Sequence, residues 1–235
     1  MLGNDEIRIW HGSVDADAEA NPAYWQLLDI AERTQAEKFK TPRLRQRYVH
    51  IHGCIRQLLA SILKVSPQTL RIARTGHGKP YLVDYPDLAF NLSHSGDSFV
   101  LAVAWCCQLG IDIEFHQPRV NVQGLVDRCF GEAEIGYWQT LSDADKTPAF
   151  YRFWTRKEAF VKATGLGITL GLNRCIINPQ LPSGFLSVPE ICGVASAWRI
   201  YDLDVGQGAC AALVVDKAHA VIRWHTLPKP DKTKR

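Results

Sequence analysis

Gly96-Asp-Ser-Phe-Val-Leu-Ala-Val-Ala-Trp-Cys-Cys-Gln-Leu-Gly-Ile-Asp-Ile-Glu114 reads as two strands, Ser98–Cys107 and Leu109–Glu114, entered through a glycine turn. The pattern returns further along the chain. Gly96-x-x-Phe-Val-Leu-Ala-Val-Ala is matched by Gly206-x-x-Ala-Cys-Ala-Ala-Leu-Val, and the strand Ile7–Asp15 has its counterpart in Leu109–Glu114. A repeat at a spacing of about a hundred residues predicts two similar lobes with a ligand cleft between them. The lobes are expected at 1–108 and 109–227, with a basic, proline-containing tail at 228–235.

Around these strands lie helical stretches. Thr41-Pro42 is a start signal, a hydroxyl cap followed by proline at the first helical position. Leu44, Tyr48, Ile51, Ile55, Leu58, Leu59 and Ile62 then recur at helical spacing as a core face. Arg45, Arg47 and Arg56 fall off that stripe, free to face a cleft or solvent. Thr147-Pro148 repeats the start signal and Gly165 is a stop, so a helix is expected over 148–164. Further helices are expected at Asn21–Lys40, Val120–Cys129 and Glu132–Leu141. Strands are expected at Thr69–Arg74, Ala89–Leu92, Arg174–Ile177, Ala197–Leu203 and Ala209–Val215.

The chain has 235 residues, 46% apolar and 22% charged, the make-up of a packed globular protein. The longest apolar run, Phe99–Cys107, falls well short of the roughly 20 residues that span a bilayer. Met1–Trp10 has no apolar signal-peptide core. Seven cysteines without any C-x-x-C suit free thiols in a reducing compartment, so a cytoplasmic location is expected. A net charge of +3 does not argue for nucleic acid as a partner. Between Glu32 and Arg56, however, seven basic residues stand against two acidic ones, either a solvated helix face or a surface for an anionic ligand or acidic protein.

Four segments carry chemistry. Asp112 and Glu114 alternate with Ile111 and Ile113, so a strand turns both acids to one face. Like charges so placed invite a cation, and oxygen ligands suit Mg²⁺; solvated acids on an edge strand are the alternative. Trp154, Glu158 and Lys162 share one helical stripe, which puts an acid and a base beside an aromatic ring that seeks burial. Gly76-His-Gly-Lys-Pro80 lets backbone approach an anion, or forms a hairpin turn with an exposed lysine. In Phe90-Asn-Leu-Ser-His-Ser95, polar Asn91, Ser93 and Ser95 alternate with apolar residues before His94 breaks the pattern.

Taken in order, Gly78-Lys-Pro80, Asn91-Leu-Ser-His-Ser95, Gly110-Ile-Asp-Ile-Glu114 and Trp154-x-x-Lys-Glu-Ala-x-x-Lys162 resemble the 4′-phosphopantetheinyl transferases, in the large, single-chain type that activates surfactin synthetase and its like. The resemblance spans residues 78–162. It implies an α+β fold of two similar lobes related by a pseudo-twofold, each a small, mostly antiparallel sheet packed with helices. It implies transfer of the 4′-phosphopantetheine group from coenzyme A to a serine of an apo acyl or peptidyl carrier protein, with release of 3′,5′-ADP. Asp112, Glu114 and Glu158 would hold Mg²⁺, or alternatively Mn²⁺. Lys79 and His94 would contact phosphates, Pro80, Asn91 and Ser93 would shape that wall, and Arg47 would reach the nucleotide. Glu158, with Glu134 as a second candidate, would take the serine proton, while Lys162 would steady the transferred phosphate. The carrier would be acidic and meet the Arg43–Arg56 stretch, with the enzyme a monomer that needs neither nucleic acid nor membrane. Glu32-Arg-Thr-Gln-Ala-Glu-Lys38 stands where the family carries a basic pair, so no 3′-phosphate contact is assigned. Two rival readings remain at this point, a Mg²⁺-dependent nuclease and a non-catalytic module that binds acidic proteins.

Overall fold

The computed structural model describes residues 2–14, 22–117 and 121–227. The expected tail at 228–235 and the expected helix starts at Asn21 and Val120 lie outside the described residues. In chain order the first part holds β1 (Glu6–Ser13), α1 (Pro22–Leu27), α2 (Ile30–Glu37), α3 (Pro42–Leu63), β2 (Ile72–Arg74), β3 (Pro80–Leu82), β4 (Leu88–Ser95) and β5 (Ser98–Trp105). The second holds β6 (Leu109–Phe115), α4 (Val122–Cys129), α5 (Glu132–Gln139), α6 (Asp143–Thr164), β7 (Ile176–Ile177), β8 (Phe185–Ser187), β9 (Arg199–Leu203), β10 (Ala209–Val215) and β11 (Val221–His225).

The repeat is present in the topology. One sheet runs β11-β1-β5-β4 and the other β6-β10-β9. In both, an opening strand pairs antiparallel with the second strand of a later hairpin, and a 22-residue helix lies between them in sequence. The architecture is therefore α+β, built twice over. The last strand, β11, returns to the first sheet and runs parallel to β1.

Both central strands are covered on both faces, which is why they read as continuous apolar runs. On β5, Phe99, Leu101 and Val103 pack with α3, while Val100, Ala102 and Ala104 face the second sheet. On β10, Ala212 and Val214 pack with α6, while Ala211, Leu213 and Val215 face the first sheet. The layers thus run helix, sheet, sheet, helix. Each large side chain so buried contributes about 1.5–3 kcal/mol.

Where β4 meets β6, side chains replace a backbone ladder. Asn91 Oδ1 accepts the Ile111 N–H at 2.9 Å, and Ser95 Oγ accepts the Phe115 N–H at 3.2 Å. Buried backbone donors need such partners.

Several expectations are corrected. The long helix of the second part starts at Asp143, five residues before Pro148, which lies inside it. That proline is the sixth residue of the helix, and the carbonyl it leaves unpaired belongs to exposed Ala144. The expected helix over residues 21–40 is two helices, because Asp29 caps a new one through a reciprocal bond with Glu32. The Gly76–Pro80 segment is a hairpin turn between β2 and β3, with Gly78 at φ 87°. Arg56 is not free: it is fully buried and bonded to Glu32 at 2.6 Å and Asp29 at 2.5 Å.

Candidate active site

Pleating turns Ile111 and Ile113 into the core between the sheets and Asp112 and Glu114 to the other face. Asp112 is only 3% exposed. Its Oδ1 accepts from Ser93 Oγ at 2.8 Å and from Lys162 Nζ at 2.6 Å. Its Oδ2 is buried and has no hydrogen-bond partner among the described residues. Glu114 Oε2 accepts from Ser95 Oγ at 2.8 Å. Ser93 and Ser95 on β4 therefore orient the two acids of β6 across the seam.

The helical stripe comes from α6. Its approach depends on Gly110, where a Cβ would stand 2.1 Å from the Ala159 carbonyl oxygen and 2.3 Å from the Ala163 nitrogen. With hydrogen there instead, α6 lies directly on β6. Trp154, Glu158 and Lys162 then face the same cavity as Asp112 and Glu114. Burial raises all three carboxyls above the ordinary range. Asp112 adds to the rise in both Glu114 and Glu158, and Lys162 opposes it in each of the three. Three acids crowded with one lysine form a site short of positive charge.

That cavity holds about 600 Å³ and adjoins a second of about 810 Å³. Tyr48, His52, Arg74, Leu92, Glu158 and Lys162 line both and so mark their junction. The second cavity draws its walls from α2, α3, the β2–β3 hairpin, β4 and α6, so both halves of the chain contribute.

The remaining expected residues fall around these cavities. Lys79 and Pro80 line the larger one. Lys79 is not exposed. Its Nζ donates to the Ala163 carbonyl at 2.5 Å and the Leu109 carbonyl at 3.1 Å, and burial pulls its pKa down to about 8. One of its three N–H bonds thus meets the last turn of α6, a second meets the start of β6, and one is left over. Asn91 lines the larger cavity while its Oδ1 serves the seam. His94 and Arg47 line the smaller one. Partial burial, with the charges of Arg47 and Lys162, lowers His94. Arg47 donates to the Gly96 carbonyl at 2.6 Å.

Glu134 lies elsewhere. It is fully buried, 2.7 Å from an equally buried Lys157, and accepts the backbone N–H groups of Gly131 and Ile177. Every oxygen is used in holding the second core together, and it lines neither cavity. Other cavity residues were not singled out from the sequence. Gly110 and Ser95 stood inside quoted motifs without a role. Tyr48 was read as core and is half-buried at the junction instead, and His52 and Arg74 carried no pattern that marked them.

Acids crowded against a lysine, in a cleft built from two like halves, suit the handling of a phosphate ester; the class defined is a two-lobed α+β group-transfer enzyme. Family models agree. Residues 108–214 match the 4′-phosphopantetheinyl transferase superfamily, and residues 17–106 match the N-terminal region of 4′-phosphopantetheinyl transferases. The chain is 31% identical to the 4′-phosphopantetheinyl transferase HetI of Nostoc over 218 residues, 91% of this chain and 89% of that protein. It is 35% identical over 158 residues to a 4′-phosphopantetheinyl transferase of Bacillus subtilis, covering 64% of this chain and 66% of that one. To the transferase Sfp of B. subtilis strain 168 it is 26% identical, over 66% of this chain and 68% of that one. The chain belongs to the 4′-phosphopantetheinyl transferase family, an enzyme family that draws on coenzyme A.

Proposed function

We propose that this enzyme moves the 4′-phosphopantetheine arm of coenzyme A to a serine hydroxyl of an apo carrier protein and releases 3′,5′-ADP, in the manner of the large surfactin-synthetase-activating type. The convergence of Asp112 and Glu114 from β6 with Glu158 and Lys162 from α6 on one cavity carries the reading. Residues 1–108 and 109–227 are the two lobes of the reading, the second lending its last strand to the first sheet, and coenzyme A lies between them.

Asp112, Glu114 and Glu158 would hold Mg²⁺ or Mn²⁺. The donors are all oxygen, Asp112 keeps a buried oxygen without a partner, and the crowded carboxyls favour a cation. As arranged, no three His, Cys, Asp or Glu side chains among the described residues converge at ion-holding distance, and Lys162 meets the charge of Asp112. Such an ion would neutralise the diphosphate. The chain's own groups do the rest. Glu158 takes the serine proton, directly or through water. The serine oxygen bonds to the β-phosphorus, the bond from that phosphorus to the bridging oxygen breaks, and 3′,5′-ADP leaves with the electron pair. Lys162 steadies the phosphate as charge shifts. The spare N–H of Lys79, with His94, meets phosphate oxygens, Arg47 reaches the nucleotide end, and Pro80, Asn91 and Ser93 shape the wall.

The carrier partner is acidic in this reading. Exposed Arg43 and Arg45 support it. The enzyme works as a cytoplasmic monomer; among the described residues no helix is long and apolar enough to cross a membrane. The test is intact-mass spectrometry of apo carrier proteins of the fatty-acid, polyketide and peptide types with coenzyme A and Mg²⁺. A gain of about 340 Da on one serine, absent with Asp112→Asn, is expected of this phosphoryl transfer. No gain on any carrier would overturn the assignment.

A further inference from the structure

One partly buried histidine at the cavity junction is held by a carboxylate and a stacked ring. Glu32 accepts from Arg56 Nε at 2.6 Å and contacts His52 Nδ1 at 3.0 Å. Arg56 is itself immobile, bonded also to Asp29 and to the carbonyls of Pro67 and Leu70. Burial pushes the Glu32 carboxyl up, but the His52 bond and the Arg56 charge outweigh it, so Glu32 is an anion that only accepts. The hydrogen of that contact therefore sits on His52 Nδ1, which fixes the tautomer. Tyr48 stacks on the ring at a centroid distance of 3.9 Å and fixes its plane. The other ring nitrogen, Nε2, has no hydrogen-bond partner among the described residues, and His52 lines both cavities with Lys162 and Arg74.

Around His52 stand Asp29 and Glu32 from the α2 end, Arg56 and Tyr48 on α3, Arg74 on β2, His94 on β4, and Glu158 and Lys162 on α6. Two acids there share one arginine, so the wall behind the ring carries a surplus negative charge.

We propose that His52 Nε2 donates a hydrogen bond to a phosphate oxygen of coenzyme A, with the Arg56–Glu32 pair as its fixed support. The inference rests on the coenzyme A reading above. Binding then adds a proton to Nε2 while Nδ1 keeps its bond to Glu32. Charge-assisted bonds of this kind are worth about 10- to 100-fold in affinity.

The test is calorimetric titration of the intact protein with coenzyme A and with dephospho-coenzyme A, in two buffers of different ionisation enthalpy. His52→Phe keeps the stack on Tyr48 and removes both ring nitrogens. The wild type should take up protons on binding; His52→Phe should bind at least about tenfold more weakly with that uptake gone. A loss confined to coenzyme A places the contact at the 3′-phosphate, and an equal loss with both ligands places it at the diphosphate. A folded variant with unchanged affinity and proton uptake would overturn the inference. Should the variant not fold, nitrogen-15 spectra of wild-type His52 decide: Nε2 must become protonated on adding coenzyme A, and an Nε2 left unprotonated rejects the contact. Failure of the wild type to bind either ligand strikes the coenzyme A reading instead.

Discussion

Glu158 concentrates the electrostatic tension of the site. Burial, Asp112 and Glu114 all favour its neutral form, and only Lys162 resists. A carboxyl raised in the folded state binds more protons folded than unfolded between its two pKa values. Its ionisation therefore costs stability as pH rises through that window. Glu158→Gln should melt at a higher temperature than the wild type at pH 7.5 in metal-free buffer, and the gap should close as pH falls toward 4.5, the ordinary glutamate value. The same variant should lose transfer activity by about 100-fold or more. A melting point lower than the wild type at pH 7.5 would remove the strain argument, and retained turnover would remove the proton-acceptor role. At this scale the acids were legible, since alternation on a strand and spacing on a helix put Asp112, Glu114 and Glu158 on known faces. The fates of Lys79 and Glu134 were not. Whether a lysine or glutamate meets a carbonyl, an ion pair or open space depends on segments far away in sequence, Ala163 for one and Lys157 for the other.

At the scale of elements, the site depends on how closely α6 lies on β6. Gly110 sets that distance, and its backbone needs no left-handed conformation, so the reason is contact and not φ. Gly110→Val should force the helix outward, cost about 1–3 kcal/mol and separate Lys162 from Asp112. Thermal melting together with steady-state transfer checks this: stability and kcat should both fall. Full activity in the variant would show that the close approach is dispensable. The helix itself was legible from its stripe and from Gly165, which caps it at φ 68°. Its start was not, because Pro148 mimics a first-turn proline while Ser142 and the exposed residues after it begin the helix earlier. The break at Asp29 was hidden for a related reason. The apolar stripe of α1 and α2 reads as one helix until the bond between Asp29 and Glu32 is seen.

For the whole molecule, duplicated topology creates the cleft. The two halves meet where β4 runs beside β6, and Asn91 and Ser95 close that seam with side-chain bonds. Ser93 on the same strand reaches Asp112, so the alignment of the halves and of the acids is set by one strand. The repeat was legible because the core strands β5 and β10 need similar apolar runs. The return of β11 to the first sheet was not, as its residues are mostly exposed and carry no strong alternation. The central claim is that the acids of β6 and α6 share one divalent ion in that cleft beside coenzyme A. Anomalous diffraction from crystals grown with coenzyme A and Mn²⁺ tests it directly. A single manganese peak touching oxygens of Asp112, Glu114 and Glu158 as well as the coenzyme A diphosphate is the predicted result. Coenzyme A bound with no manganese at those three side chains, or with the ion held elsewhere, would contradict the account.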